Sequence, residues 1–185
     1  MAAQVNEFDP RRALGALMYL ARATTNDLYI LMKMLYVADK KHLAITGRYI
    51  AGDQYVAMEA GATPSGAYDI AKFVRGDHRL HRGFPLARRY IEVRDQTKVN
   101  LLADVPEGYI SELAQKCLDE VVTLYREHPN WVYWFKQAHD SAWTASLKEG
   151  ELAPPIDIKA VAGTIKENGP LLDYLADPYP EAAKG

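Results

Sequence analysis

Apolar residues surround the whole circumference of the stretch from Leu28 to Ala38, in which Lys33 is the one charge. A helix that is apolar on every side is normally enclosed by other elements. This run is too short for the roughly 20 residues that a bilayer span needs, so it predicts a central buried helix. The polar group Asp39-Lys40-Lys41-His42 follows, and Gly47 is a helix stop. Upstream, Phe8-Asp9-Pro10 combines a staple residue, a cap and a first-turn proline. It predicts a helix from Pro10 to Ala23 with Leu14, Leu17, Met18 and Ala21 on one face. Thr24-Thr25-Asn26 breaks that helix and is expected to cap the central one.

Downstream the pattern is more varied. Residues 52–61 mix polar and large apolar groups and read as a compact loop or short helix. Thr63-Pro64 reads as an N-cap and first-turn proline, opening a helix from Ser65 to Val74. Between Arg89 and Leu102 the period shifts to two, with Asp95-Gln96 as a polar turn, which predicts a small β-hairpin. Pro106 to Glu127 carries a wide apolar stripe of Ile110, Leu113, Ala114, Cys117, Leu118, Val121, Leu124 and Tyr125. After His128-Pro129-Asn130 comes a helix whose stripe is Trp131, Trp134, Phe135 and Ala138, with Trp143 extending the aromatic cluster. Asp157 is expected to cap a final helix to about Tyr174, interrupted at Gly169-Pro170. The fold class predicted is mainly α: a compact single-domain helical bundle with a small β-hairpin near residues 89–102. Its parts are an N-terminal extension (1–9), the domain (10–148), a linker and C-terminal helix packed on it (149–176) and a loose tail (177–185).

The order K-x-L-Y-x-A-D-x-x-H-L, G-R-x-I, G-D-x-Y-V-A-M-x-x-G and P-S-x-x-Y-D runs from Lys33 to Asp69. It falls on Lys33, Leu35, Tyr36, Ala38, Asp39, His42 and Leu43, then Gly47, Arg48 and Ile50. It continues through Gly52, Asp53, Tyr55, Val56, Ala57, Met58 and Gly61 to Pro64, Ser65, Tyr68 and Asp69. His139 and Trp143 supply a later H-x-x-x-W. This arrangement resembles the Panacea antitoxin domain, a family that includes Soc-type proteolytic-adaptor antitoxins and phage-associated relatives. The likeness spans roughly Pro10 to Leu147. One departure is Gly61-Ala62, where the family usually has Gly-Pro; without that proline the turn is freer.

Composition changes the picture little. The chain has 185 residues, 49% hydrophobic and 25% charged, which are ordinary globular values for one domain. Its lone cysteine, Cys117, cannot form an internal disulfide and favours a reducing, cytoplasmic setting. Met1 to Asp9 lacks the positive and apolar segments of a secretory signal. A net charge of −2 argues against general adhesion to nucleic acid or anionic membrane.

Candidate chemistry is sparse. Asp39 and His42 sit three apart, as do His78 and His81, but five histidines and no Glu-x-x-His make a bundle-type metal centre improbable. Asp39 and His42 read instead as a helix-end cluster that holds the following loop. Cys117 lies on a core face, where cysteine behaves as a small apolar group. No Gly-rich phosphate loop, nucleophile elbow or zinc spacing occurs. The Gly61-to-Ser65 turn opens onto a helix N-terminus, a weak anion signal. From Arg75 to Arg89 there are five arginines (75, 79, 82, 88, 89) against Asp77. That segment is either a solvated basic loop or a surface for an acidic or phosphate-bearing partner. Tyr55, Met58 and Glu59 either close the bundle or form an adaptable recognition surface.

The resemblance implies a non-enzymatic antitoxin that neutralises a cognate protein toxin by direct binding, with delivery to a protease as a further route. No cofactor, metal or membrane is expected. The partner-facing residues expected are Arg48, Asp53, Tyr55, Met58, Glu59, Arg75, Arg79 and Arg82. Tyr36, Asp39, His42, Gly61, Pro64, Tyr68, His139 and Trp143 are expected to carry the structural motif. The alternative is a nucleic-acid-binding or regulatory accessory protein that uses the basic segment 75–89.

Overall fold

The computed structural model describes residues 7–77 and 84–178. Helix α1 (Pro10–Ala23) starts where the Asp9 carboxylate accepts from the Arg11 and Arg12 N–H groups, satisfying two donors that a helix start leaves unpaired. Helix α2 (Leu28–Thr46) is capped by Asp27, which accepts from the Tyr29 and Ile30 N–H groups. The expected cap at Thr24-Thr25-Asn26 is thus displaced by one residue, to the side chain that reaches the first-turn amides. At the other end Gly47 takes a left-handed φ of 70° and donates to the Leu43 carbonyl.

Helix α2 is apolar all round because it separates two cores. On one side Leu28, Leu31, Met32, Met34 and Leu35 join α1, α3 and α4 in the larger cluster. On the other, Tyr36 and Leu43 join Tyr49, Tyr55, Ala57 and Ala62 with residues from near the C-terminus. Each such leucine or methionine contributes about 1.5–3 kcal/mol through burial.

The segment expected as a loop or short helix is a two-stranded antiparallel hairpin, β1 (Tyr55–Met58) with β2 (Gly61–Pro64). Thr63 is therefore a strand residue. Pro64 occupies the cap position of α3 (Ser65–Arg75), because its backbone is still extended and a side-chain cap comes from elsewhere. After a 3-10 helix (Pro85–Arg89), strands β3 (Ile91–Arg94) and β4 (Lys98–Leu101) form the hairpin expected between 89 and 102. Asp95 and Gln96 turn it at positive φ.

Helix α4 (Glu112–Glu127) begins later than Pro106, because the Ser111 hydroxyl accepts from the Ala114 N–H and fixes the start there. Two short helices follow, α5 (Trp131–Gln137) and α6 (Ser141–Ser146). In α5, Trp134 and the following Ala138 are buried, whereas Trp131 is 39% exposed and leaves the expected stripe. The single final helix resolves into α7 (Ile158–Gly163) and α8 (Gly169–Ala176), with Asp157 capping α7. The fold is mainly α with two small hairpins.

Candidate functional site

The residues that carry the sequence motif meet around the β1–β2 hairpin. Asp39, buried on α2, accepts from the Ile50 N–H and the Tyr55 hydroxyl, both at 2.6 Å. Burial pushes its carboxyl up to about 7, against the lowering effect of those two donors. One turn on, the His42 ring nitrogen Nδ1 lies 2.8 Å from the Arg48 carbonyl oxygen. Both side chains hold the chain that leads from α2 to β1.

Asp53 does the same for α3. Its carboxylate accepts from the Gly66 N–H at 2.7 Å, the Ala67 N–H at 2.8 Å and the Gln54 N–H at 2.8 Å. A cap from a distant loop replaces the one Pro64 cannot supply. Burial pushes this carboxyl up to about 6, opposed by the three amides. A Cβ at Gly66 would lie 2.5 Å from the Phe8 ring and 2.9 Å from Asp53 Oδ1, so those side chains would have to shift.

Lys33, the single charge of the apolar helix, is 1% exposed. Its Nζ donates to Thr63 Oγ1 at 2.9 Å and to the Ala62 and Gly61 carbonyls at 3.1 and 3.3 Å. Burial pushes the ammonium down to about 7. Three acceptors match the three N–H donors of a lysine ammonium, so α2 grips β2 by its backbone.

The far side of the hairpin is gripped by α5 and α6. Gly61 at φ +99° brings β2 so close that a Cβ would lie 2.8 Å from the Ala138 carbonyl and the His139 ring. The Ala62 N–H donates to that same carbonyl at 2.8 Å. His139 places Nδ1 2.7 Å from the Phe135 carbonyl oxygen and Nε2 3.1 Å from that of Glu59. The Trp143 indole donates to the Met58 carbonyl at 2.8 Å. Asp140 between them accepts from Tyr36 and Lys40, each at 2.9 Å, and from the Ala142 and Trp143 N–H groups. Tyr68 packs under Lys72 on α3, at 4.9 Å from ring centre to Nζ.

The expected partner-facing residues separate by burial. Arg48 and Glu59 are exposed, and Met58 is half-buried at the hairpin tip. Tyr55 is fully buried and Asp53 is 6% exposed, so neither offers a surface: one closes the second core and the other caps α3. Arg75 is half-buried and tied to Asp77 and to the Gln96 carbonyl. Arg79 and Arg82, with His78 and His81, lie outside the described residues. Cys117 is buried, and burial pushes its thiol up.

Lys33 and Asp140 are the side chains whose roles sequence reasoning missed. A lone charge inside an apolar helix was the available signal for the first. The second sat unremarked inside the His139-to-Trp143 spacing.

Beside the hairpin tip runs a row of rings from α5 through the connection to α6: Trp131, Phe135, His139 and Trp143, with successive centroids 5.6, 3.7 and 4.3 Å apart, the middle pair stacked and the outer two tilted. Val132 on α5 and Leu147, just past the end of α6, are exposed. Among the described residues, no group of three or more His, Cys, Asp or Glu is placed to hold a metal ion. No described helix is long and apolar enough to cross a membrane.

No curated protein and no solved structure matches the chain. The family described as antitoxin SocA-like, Panacea domain, matches residues 31–144, more than half of the 185 residues. That span begins inside α2 and ends just past Trp143, and so contains both sides of the grip on β1–β2. The chain belongs to the SocA-like antitoxin family with a Panacea domain.

Proposed function

We propose that this protein is an antitoxin that captures a separately encoded protein toxin by direct binding and makes or breaks no bond in doing so. The observation that carries this reading is the family match over residues 31–144. The geometry supports binding over catalysis in one respect: the polar motif residues Lys33, Asp39, Asp53 and His139 are spent on main-chain groups of the hairpin and its flanks. Such a network fixes a surface. The surface it fixes is the Met58–Glu59 tip beside the partly exposed rings of Trp131 and Phe135, and aromatic and methionine side chains are enriched in protein interfaces.

Capture blocks the toxin's working surface or hands the bound toxin to a protease. The nucleic-acid alternative rests on the segment 75–89, of which Arg89 is exposed while other described basic side chains in or beside it are engaged within the fold. Lys72 pairs with Asp69, Arg75 with Asp77, and Arg88 lies over the Phe73 ring.

The test is to express the neighbouring open reading frame alone and together with this protein. Growth arrest relieved by co-expression, with the two proteins co-purifying, is the expected result. Arrest that this protein leaves untouched overturns the proposal. Relief that disappears in a protease-deficient host, with co-purification intact, assigns the delivery route.

A further inference from the structure

We propose that the C-terminal arm, residues 154–178, exchanges between two copies of this chain, so that Pro154–Ile156 of each copy pairs with β1 of the other. This inference is independent of the antitoxin reading.

The arm is attached as a third strand and an apolar plug. The Ala57 N–H donates to the Pro154 carbonyl, and the Ile156 N–H to the Tyr55 carbonyl, both at 2.8 Å. Val56 and Pro155 lie opposite one another in antiparallel register. Beyond the strand, Ile156, Val161 and Ala162 are buried in the second core with Tyr49, Tyr55 and Ala142. None of these contacts depends on which copy supplies the arm, so exchange preserves all of them. That is what makes swapping an inexpensive route to a dimer.

The linker supplies the reason to exchange. Residues 147–152 are all exposed, and Leu152 is 99% exposed. The chain folds back through a turn in which the Glu151 N–H donates to the Lys148 carbonyl, with Gly150 at φ +78°. It then passes through Ala153 at φ +53°. A non-glycine residue at positive φ is strained, and Ala153 also precedes Pro154, a position that favours an extended backbone. Straightening residues 147–153 removes this conformation. Seven extended residues reach about 23–25 Å, enough to bridge two facing copies.

The test mixes two full-length proteins, both carrying Cys117→Ala, one with Val56→Cys and the other with Pro155→Cys. The mixture is held at high concentration near its unfolding midpoint, cooled, oxidised and run on a denaturing gel without reductant. Directly opposed residues of a non-hydrogen-bonded antiparallel pair have Cα atoms about 4.5 Å apart, within disulfide range. A covalent dimer containing both proteins is expected, well above the yield from Val56→Cys alone. No mixed dimer, or equal yields, overturns the proposal.

Light scattering on the unsubstituted chain after the same treatment should show a species of twice the chain mass. A monomer at every concentration overturns the proposal as well. Ala153→Gly, which tolerates the folded-back linker, should lower the dimer-to-monomer ratio at least about fivefold per linker. An unchanged ratio removes the driving force and with it the inference.

Discussion

The Trp143 indole N–H donates to the Met58 carbonyl at 2.8 Å and fastens together residues 85 positions apart. The same ring lies 4.3 Å, centre to centre, from His139, whose Nε2 faces the Glu59 carbonyl. The hairpin tip is therefore positioned by two side chains from the far end of the family-matched span. Trp143→Phe keeps an aromatic ring against His139 and removes the donor together with part of the ring's volume. The Met58 carbonyl still faces its hairpin partner Gly61, so losing the indole bond should cost about 0.5–1.5 kcal/mol, with the smaller ring adding to that. Urea unfolding measures it, and an unmoved midpoint would show that the bond carries no weight.

Gly61→Ala should be among the most damaging small substitutions. It adds a methyl group 2.8 Å from the Ala138 carbonyl at a backbone φ of +99°. Strain at positive φ alone costs of order 1–3 kcal/mol, and the clash adds to it. The expected phenotype is a lowered thermal midpoint with early proteolytic cleavage near residues 58–62. Wild-type resistance would mean that the two backbones separate more easily than their spacing implies.

Stability should pass through a minimum near neutral pH. Asp39 titrates at about 7 folded against 3.8 for the free side chain, so its contribution is complete below 3.8 and is lost as pH rises towards 7. Lys33 titrates at about 7 folded against 10.5, so its penalty is complete below about 7 and is relieved as pH rises towards 10.5. Below neutrality the native state binds more protons than the unfolded chain, and above it fewer, which gives stability slopes of opposite sign. Each arm is on the order of 4 kcal/mol at its limit. Asp39→Asn should reduce the acidic arm, to which Asp53, raised to about 6, also contributes, and Lys33→Met should flatten the alkaline one. A monotonic profile in the wild type would contradict both assignments.

Glu59→Arg and Arg48→Glu alter exposed side chains and should change stability by less than about 0.5 kcal/mol each. Glu59 sits at the tip of the hairpin, so its reversal should weaken toxin capture, read as lost growth rescue with normal protein levels. Full rescue by Glu59→Arg would move the interface away from the tip.

Much of the helical architecture is legible in the sequence because its signals are strong and local. Asp9-Pro10 starts α1 and Gly47 stops α2 where expected. The first hairpin is not legible. Each strand has four residues, and all of Gly61–Pro64 is buried, so the alternation that marks a half-exposed strand is missing. Its stabilising contacts are also distant in sequence: Lys33 on one side, Ala138 and Trp143 on the other. Tyr55 and Asp53 were expected at a partner surface for the same reason. A tyrosine and an aspartate in a short polar segment look exposed until the Asp39 carboxylate and the α3 amides are seen to claim them. The late start of α4 turns on one hydroxyl, Ser111, inside a pattern that is apolar on both sides of it.

Because α2 forms a wall of both cores, neither half of the domain can lose its interior while the other keeps it. The backbone amides of Met32 to Ala38 should accordingly exchange with solvent deuterium only through whole-molecule opening. They should be the slowest in the protein, and their exchange free energy should equal that of global denaturation.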